Sequence, residues 1–278
     1  MTELLGWLRA RLRADRALAR MAILVLGVDL VLIWLHVQRF TLRRFGLTDH
    51  WLAADRFAFD DDTGLNMVWL SVQAVALALA AGLAAARRPS RAGMLAAQLA
   101  IANAAAKLGK PHLAIGEALA VHGHLHGWLG LNGRQLGKLV AEIGMGLTWL
   151  LVASIAVRLA VDGAGRTAAA LALWLVVALA VAGGLSDLGY MVFAGSFKGA
   201  VGLFGLAEGA GEMLVLSAGL IGFTALARVL GRHRGKKRST TAGTVRPPTL
   251  PEEPSQCYTG PPGHGGDRAK LDPETALP

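Results

Sequence analysis

The sequence predicts an all-α fold, a bundle of about six transmembrane helices with both termini on the cytoplasmic side. Three observations carry this. Of the 278 residues, 54% are hydrophobic and only 17% charged, whereas a soluble domain carries about 25% charged residues. The apolar residues fall in long unbroken blocks rather than in amphipathic stripes. Lys and Arg cluster at the ends of alternate blocks, as cytoplasmic loops require. The net charge of +9 follows from those clusters. No folded basic domain remains outside the blocks to engage nucleic acid. The lone Cys257 excludes an internal disulfide and any multi-cysteine metal site. The Ala, Arg, Gly and Leu bias suits a GC-rich bacterial genome, and abundant small residues suit helices packed in lipid.

Residues 1–20 place Leu4, Leu5, Trp7, Leu8 and Leu12 largely on one helical face, with arginines elsewhere. This predicts an interfacial amphipathic helix leading into an uncleaved signal-anchor. The first span is expected at 21–37 and contains Asp29. An intramembrane carboxylate costs about 2.5–3.5 kcal/mol to insert, so it should face other helices. It serves either as a proton or cation ligand or as a hydrogen-bonded structural group. Residues 38–63 form a polar loop ending in Asp60, Asp61 and Asp62. That run suits either an oxygen-ligated cation or a helix N-terminus. The second span is expected at 65–86, closed by the basic turn Arg87–Arg91. The third, from 92 to about 106, is short and ends at Lys107, Lys110 and Pro111.

Residues 112–137 hold too many glycines and histidines for a comfortable span and predict a re-entrant or interfacial segment. His122, His124 and His126 alternate, which places them together in an extended chain but fans them out in a helix. With His112 and Glu117 they are the candidate ligands for a divalent metal. The alternative is a titratable polar loop. The fourth span, 139–160, carries Glu142 near its start. The fifth covers 167–185. Residues 188–207 are Gly-rich and aromatic, expected at the interface. The sixth covers 211–230. Beyond it, residues 231–278 open on a basic cluster and hold eight of the ten prolines. This predicts a disordered cytoplasmic tail.

With the N-terminus inside and six spans, 19 of the 28 Lys and Arg fall on the cytoplasmic side. The acidic loop, the histidines, Glu142, Asp187 and the pair Glu208 and Glu212 then gather on the opposite face. Glu208 and Glu212 share one helix face at i, i+4. They either bind a cation or proton or cap the span in the headgroup layer.

Asp61, Gly64, Trp69 and Ser71 form an acidic loop running into a Trp-x-Ser helix start. Glu208, Glu212, Met213 and Leu214 open the last span as Glu-x-x-x-Glu-Met-Leu. On these motifs the chain resembles a group of uncharacterised bacterial polytopic membrane proteins of about six spans. It departs from them after the third span, where KLGKPHLAIGE keeps only Ile115 and Glu117 of their pattern, and Asn66 is displaced by one position. The resemblance implies topology and brings no activity. Three functions stand open. One is an integral inner-membrane protein that binds or moves a small solute or cation at a polar site facing the extracytoplasmic side. Another is a metal-dependent membrane enzyme using His122, His124 and His126. The third is a membrane partner subunit or scaffold. No nucleotide loop, serine triad or redox cysteine pair is present.

Overall fold

The computed structural model describes residues 2–57, 64–123, 132–184, 186, 189 and 200–242. No strand occurs among them. The amphipathic start forms α1, Thr2–Ala14. It buries Trp7, and Leu4, Leu8 and Leu12 pack on the main core. Asp15 then breaks the helix and caps the next one. Its backbone is extended, and its carboxylate accepts from the N–H groups of Ala17 and Leu18 at 3.1 Å each. From this cap α2 runs without interruption over Arg16–Arg44, well beyond both ends of the expected 21–37 span.

Two single-turn 3-10 segments, Trp51–Ala53 and Asp55–Phe57, bring the chain to α3, Leu65–Arg87. Ser90 caps α4, Arg91–Gly109, by accepting from the Gly93 N–H at 3.0 Å. Lys110 adopts a left-handed backbone (φ 45°). Pro111, whose missing N–H costs nothing at a helix start, then opens α5, Pro111–His122. A helix therefore forms the first part of the segment expected to be re-entrant or interfacial. Asn132 and Gln135 close a reciprocal capping box on α6, Gly133–Arg158. Asp162 caps α7, Gly163–Leu179, which widens into a π turn at Ala180–Gly184. The last helix, α8, covers Ala200–Ala242. It begins earlier than the expected sixth span and continues past Gly231 into the stretch expected as tail; residues 243–278 lie outside the described set.

Among the described residues, five helices are long and apolar enough to cross a membrane: α2, α3, α6, α7 with its π turn, and Leu203–Arg232 of α8. The expected third span, α4, is not among them. In α8, 72% of the apolar stretch is buried inside the bundle, against 22% in α2 and 17% in α6. A helix buried on all sides is central, so α8 is the axis of the fold. It packs against α2, α3 and α7, and α4 fills the space between α3, α6 and α7. The α4 interface is built from Ala92, Ala96, Ala97, Ala100 and Ala104, which let backbones approach closely. Outward faces are apolar, with Ile23, Leu24, Leu79, Leu147 and Leu151 all more than half exposed. Polar side chains such as Asp29, Asn66, Gln73, Asn103 and Ser217 point inward.

The bundle has two distinct ends. At one, Asp15 meets Arg228 (2.9 Å) and Arg232 (2.8 Å) of α8. Arg87 donates to the Ala227 carbonyl at 2.5 Å, and Arg88 pairs with Asp162 at 2.8 Å. At the other, Lys107 near the end of α4 pairs with Glu212 of α8. Glu212 and Arg228 lie about 24 Å apart along α8 at 1.5 Å per residue.

Candidate functional site: a buried carboxylate between three helices

The buried face of α2 presents Leu18, Ala22, Val25, Asp29, Leu32 and His36, spaced three and four apart as one stripe of a helix. Asp29 is wholly buried on that stripe, its relative exposure 0%. Three donors converge on it. Trp69 Nε1 and Gln73 Nε2 of α3 each donate to Oδ1 at 2.7 Å. Ser217 Oγ of α8 donates to Oδ2 at 2.5 Å. Gln73 Nε2 also donates to Ser217 Oγ at 2.6 Å, which closes the ring. Trp69 and Gln73 are one turn apart on α3 and so reach the same point. All three donors are uncharged, and no cationic side chain among the described residues pairs with Asp29. The Ser217–Asp29 distance lies in the range of a hydroxyl bonded to an ionised acceptor. A hydroxyl rotor also serves the opposite state, since it accepts as readily as it donates. The site therefore accommodates Asp29 with or without a proton.

Gln73 Oε1 is buried and has no hydrogen-bond partner among the described residues. Two turns away on α3, Asn66 Oδ1 is in the same condition. Asn66 Nδ2 donates to the Phe57 carbonyl at 3.0 Å, and His36 Nδ1 meets the same carbonyl oxygen at 3.3 Å. Phe57 is held there by its loop. Arg39 and Arg43 of α2 grip Asp55 at 2.9 and 2.7 Å, and Arg43 Nε donates to the Ala53 carbonyl at 2.9 Å. The hydrogen bond from Arg39, with the charges of both guanidiniums, lowers the Asp55 carboxyl pKa.

The other expected site residues lie apart from Asp29. Glu212 pairs with Lys107 and is 12% exposed. Gly183 in the π turn leaves room beside it, since a Cβ there would stand 3.2 Å from Glu212 Oε1. Glu208 is half-buried one turn earlier and has its own partner. Glu142 lies 3.5 Å from Lys138 Nζ and 3.8 Å from His112 Nε2. Glu117 is exposed and 3.7 Å from Arg134. His122 ends α5 facing outward. His124 and His126, like Asp60, Asp61, Asp62 and Asp187, fall outside the described residues. Among the described residues no three His, Cys, Asp or Glu side chains gather closely enough to hold a metal ion. Glu142 thus meets Lys138 and His112 and no third candidate ligand among the described residues.

Asp29 was legible from sequence, but its partners were not. Trp69 drew notice only within the Trp-x-Ser motif. The available signal for Gln73 and Ser217 was their polarity inside apolar spans. No family model, curated protein or solved structure matches this chain.

Proposed function

We propose that this is an integral protein of the bacterial inner membrane that binds a proton or small cation at Asp29 and uses that site in moving a small solute or cation. One observation carries the reading: a fully buried carboxylate ringed by three uncharged donors, with no cationic side chain paired to it among the described residues. In hydrocarbon an uncompensated charge is expensive, and groups retained there mark ion or proton paths. A proton on Asp29, or a cation beside it, removes that cost. The inverted pattern of apolar outward faces and polar inward groups supports lipid as the surrounding solvent. The opposite placement of the two ends of α4 supports a sixth crossing. The arginine-rich end at Asp15 supports cytoplasmic termini. The likeness to the bacterial group with the Trp-x-Ser and Glu-x-x-x-Glu-Met-Leu motifs fits the same topology, and Trp69 of the first motif is a donor to Asp29.

The test is Asp29→Asn, which keeps the shape and removes the charge. In proteoliposomes the wild type should take up protons, or bind sodium or potassium at fixed pH, and the variant should lose that response by at least about tenfold. Unchanged uptake and binding in a folded Asp29→Asn protein would end the proposal and leave a structural hydrogen-bond knot.

A further inference from the structure

The two buried carboxamides on α3 repeat one arrangement. Gln73 stands opposite Asp29 and is bonded to it at 2.7 Å. Asn66 stands opposite His36, and the two share the Phe57 carbonyl. Both intervals are seven residues, two turns of each helix, and α2 and α3 run antiparallel. The result is a ladder with two rungs about 10.5 Å apart along the axes. Each rung holds one titratable group from α2 and one amide from α3. Each amide keeps a buried carbonyl oxygen without a partner among the described residues, Gln73 Oε1 on one rung and Asn66 Oδ1 on the other. These side chains are almost wholly inside, with Asn66 and Gln73 each 1% exposed and His36 4%.

A buried oxygen of this kind calls for an ordered water. Helical side chains lean toward their own N-terminus. His36 and Asp29 therefore lean the same way along α2, the rungs stay about 10.5 Å apart, and about three waters at hydrogen-bond spacing would bridge them. The upper rung sits directly beneath the loop that Asp55 fastens to Arg39 and Arg43. Among the described residues, Arg39, one turn beyond His36 on α2, Arg43 and Asp55 are charged groups at this mouth.

We propose that His36 and Asn66 form a second proton station, joined by water to Asp29 and Gln73, through which protons reach Asp29 from the loop-bearing end of the bundle. The inference rests on the proton form of the preceding reading and adds the route. A carbonyl only accepts, so the imidazole facing Phe57 carries its proton on Nδ1 and its basic nitrogen is Nε2. Nε2, itself buried, takes a proton from a water leading in from the loop end and becomes imidazolium. It returns one proton to the water toward Asp29, whose carboxylate accepts it to give the acid. Each transfer conserves protons and charge and needs no other reactant.

The experiment follows the infrared carbonyl stretch of protonated Asp29, identified by its loss in Asp29→Asn, as the full chain in lipid is moved into deuterated water. In the wild type the band should shift to its deuterated position within seconds. In His36→Gln, which retains a donor for Phe57, the shift should slow about a hundredfold, the usual contribution of a placed acid–base group. In His36→Ala added imidazole should restore it, which a merely structural role does not allow. Wild-type exchange taking hours would overturn the route by itself, independent of whether either variant folds. So would an unaltered rate in His36→Gln, or failure of imidazole to rescue. If no Asp29 band appears at any pH, the proton reading of the site falls as well. A band with exchange indifferent to His36 removes the route alone.

Discussion

At the scale of single residues, Asp15 shows how one short side chain sets the entry to the bundle. It ends α1, caps α2 and faces two arginines of α8, the farther one 217 positions away in sequence. The N–H of Leu18 lowers its carboxyl pKa most, against burial, and the Arg228 and Arg232 guanidiniums and the N–H of Ala17 lower it further. A depressed carboxyl contributes stability that is present above its unfolded value and lost as pH falls through the folded one. The clamp should therefore hold at neutral pH and release only below about pH 4. Asp15→Ala should cost about 1 kcal/mol for the cap, with up to about 1 kcal/mol more for ion pairs whose arginines are partly exposed. Thermal unfolding in detergent measures both. Asp15→Asn keeps much of the cap and should flatten the acid limb of the stability curve relative to wild type. An identical acid limb in Asp15→Asn would show that this carboxylate is not the group that titrates.

Residue identity also shows where sequence reasoning stops. Asp29 announces itself, since a carboxylate in an apolar run has few explanations. Ser217 does not, because a hydroxyl in a span is cheap. Its importance comes from meeting a group 188 positions away, and hydrophobic periodicity identifies a buried face without saying which helix covers it. His36 was hidden for a related reason. It lies at the end of the apolar run of α2, and the Phe57 carbonyl that it shares with Asn66 comes from elsewhere in the chain.

At the scale of elements, α5 and α6 form a hairpin whose contact is glycine on glycine. A Cβ on Gly137 would fall 2.2 Å from the Gly116 carbonyl oxygen, and one on Gly116 would fall 2.7 Å from the Lys138 Cα and N. Both obstacles are backbone, so the helices would have to separate. Composition alone made residues 112–137 look re-entrant or interfacial rather than spanning, because glycine and histidine are poor signals of an apolar helix. In the fold Gly116 serves close approach rather than flexibility, and Pro111 marks the break after α4 and opens the next helix. Gly137→Ala and Gly116→Ala should each destabilise the protein by about 1–3 kcal/mol as overpacking does, with the larger loss at Gly137. Limited trypsin cleavage at the exposed Arg134 should speed up in step, because the start of α6 loses its support. Cleavage and unfolding at wild-type rates in both variants would mean that the hairpin does not close at these glycines.

At the scale of the whole molecule, the question is whether α4 crosses. It lacks the length and hydropathy of the five apolar helices, yet its ends meet opposite ends of the bundle. Ser90 caps it beside Arg88, which pairs with Asp162. Lys107 reaches Glu212 at the other end. Its 19 residues span about 28 Å, close to the roughly 30 Å of a hydrocarbon core. Arg91, Gln98, Asn103 and Lys107 lower its hydropathy, while its alanines let it sit inside the bundle, shielded by α3, α6 and α7. A buried crossing helix does not need the apolarity of one facing lipid. In a Cys257→Ser background, single cysteines at positions 90 and 110 should accordingly react with an impermeant thiol reagent from opposite sides of the membrane. Position 50 should label with 110, and position 235, beyond the apolar part of α8, should label with 90 from the cytoplasm. If 90 and 110 label from one side, α4 is a re-entrant helix and the ends of α8 exchange sides. Asp15 and Arg228 would then have to face each other across the bilayer, which their 2.9 Å contact forbids.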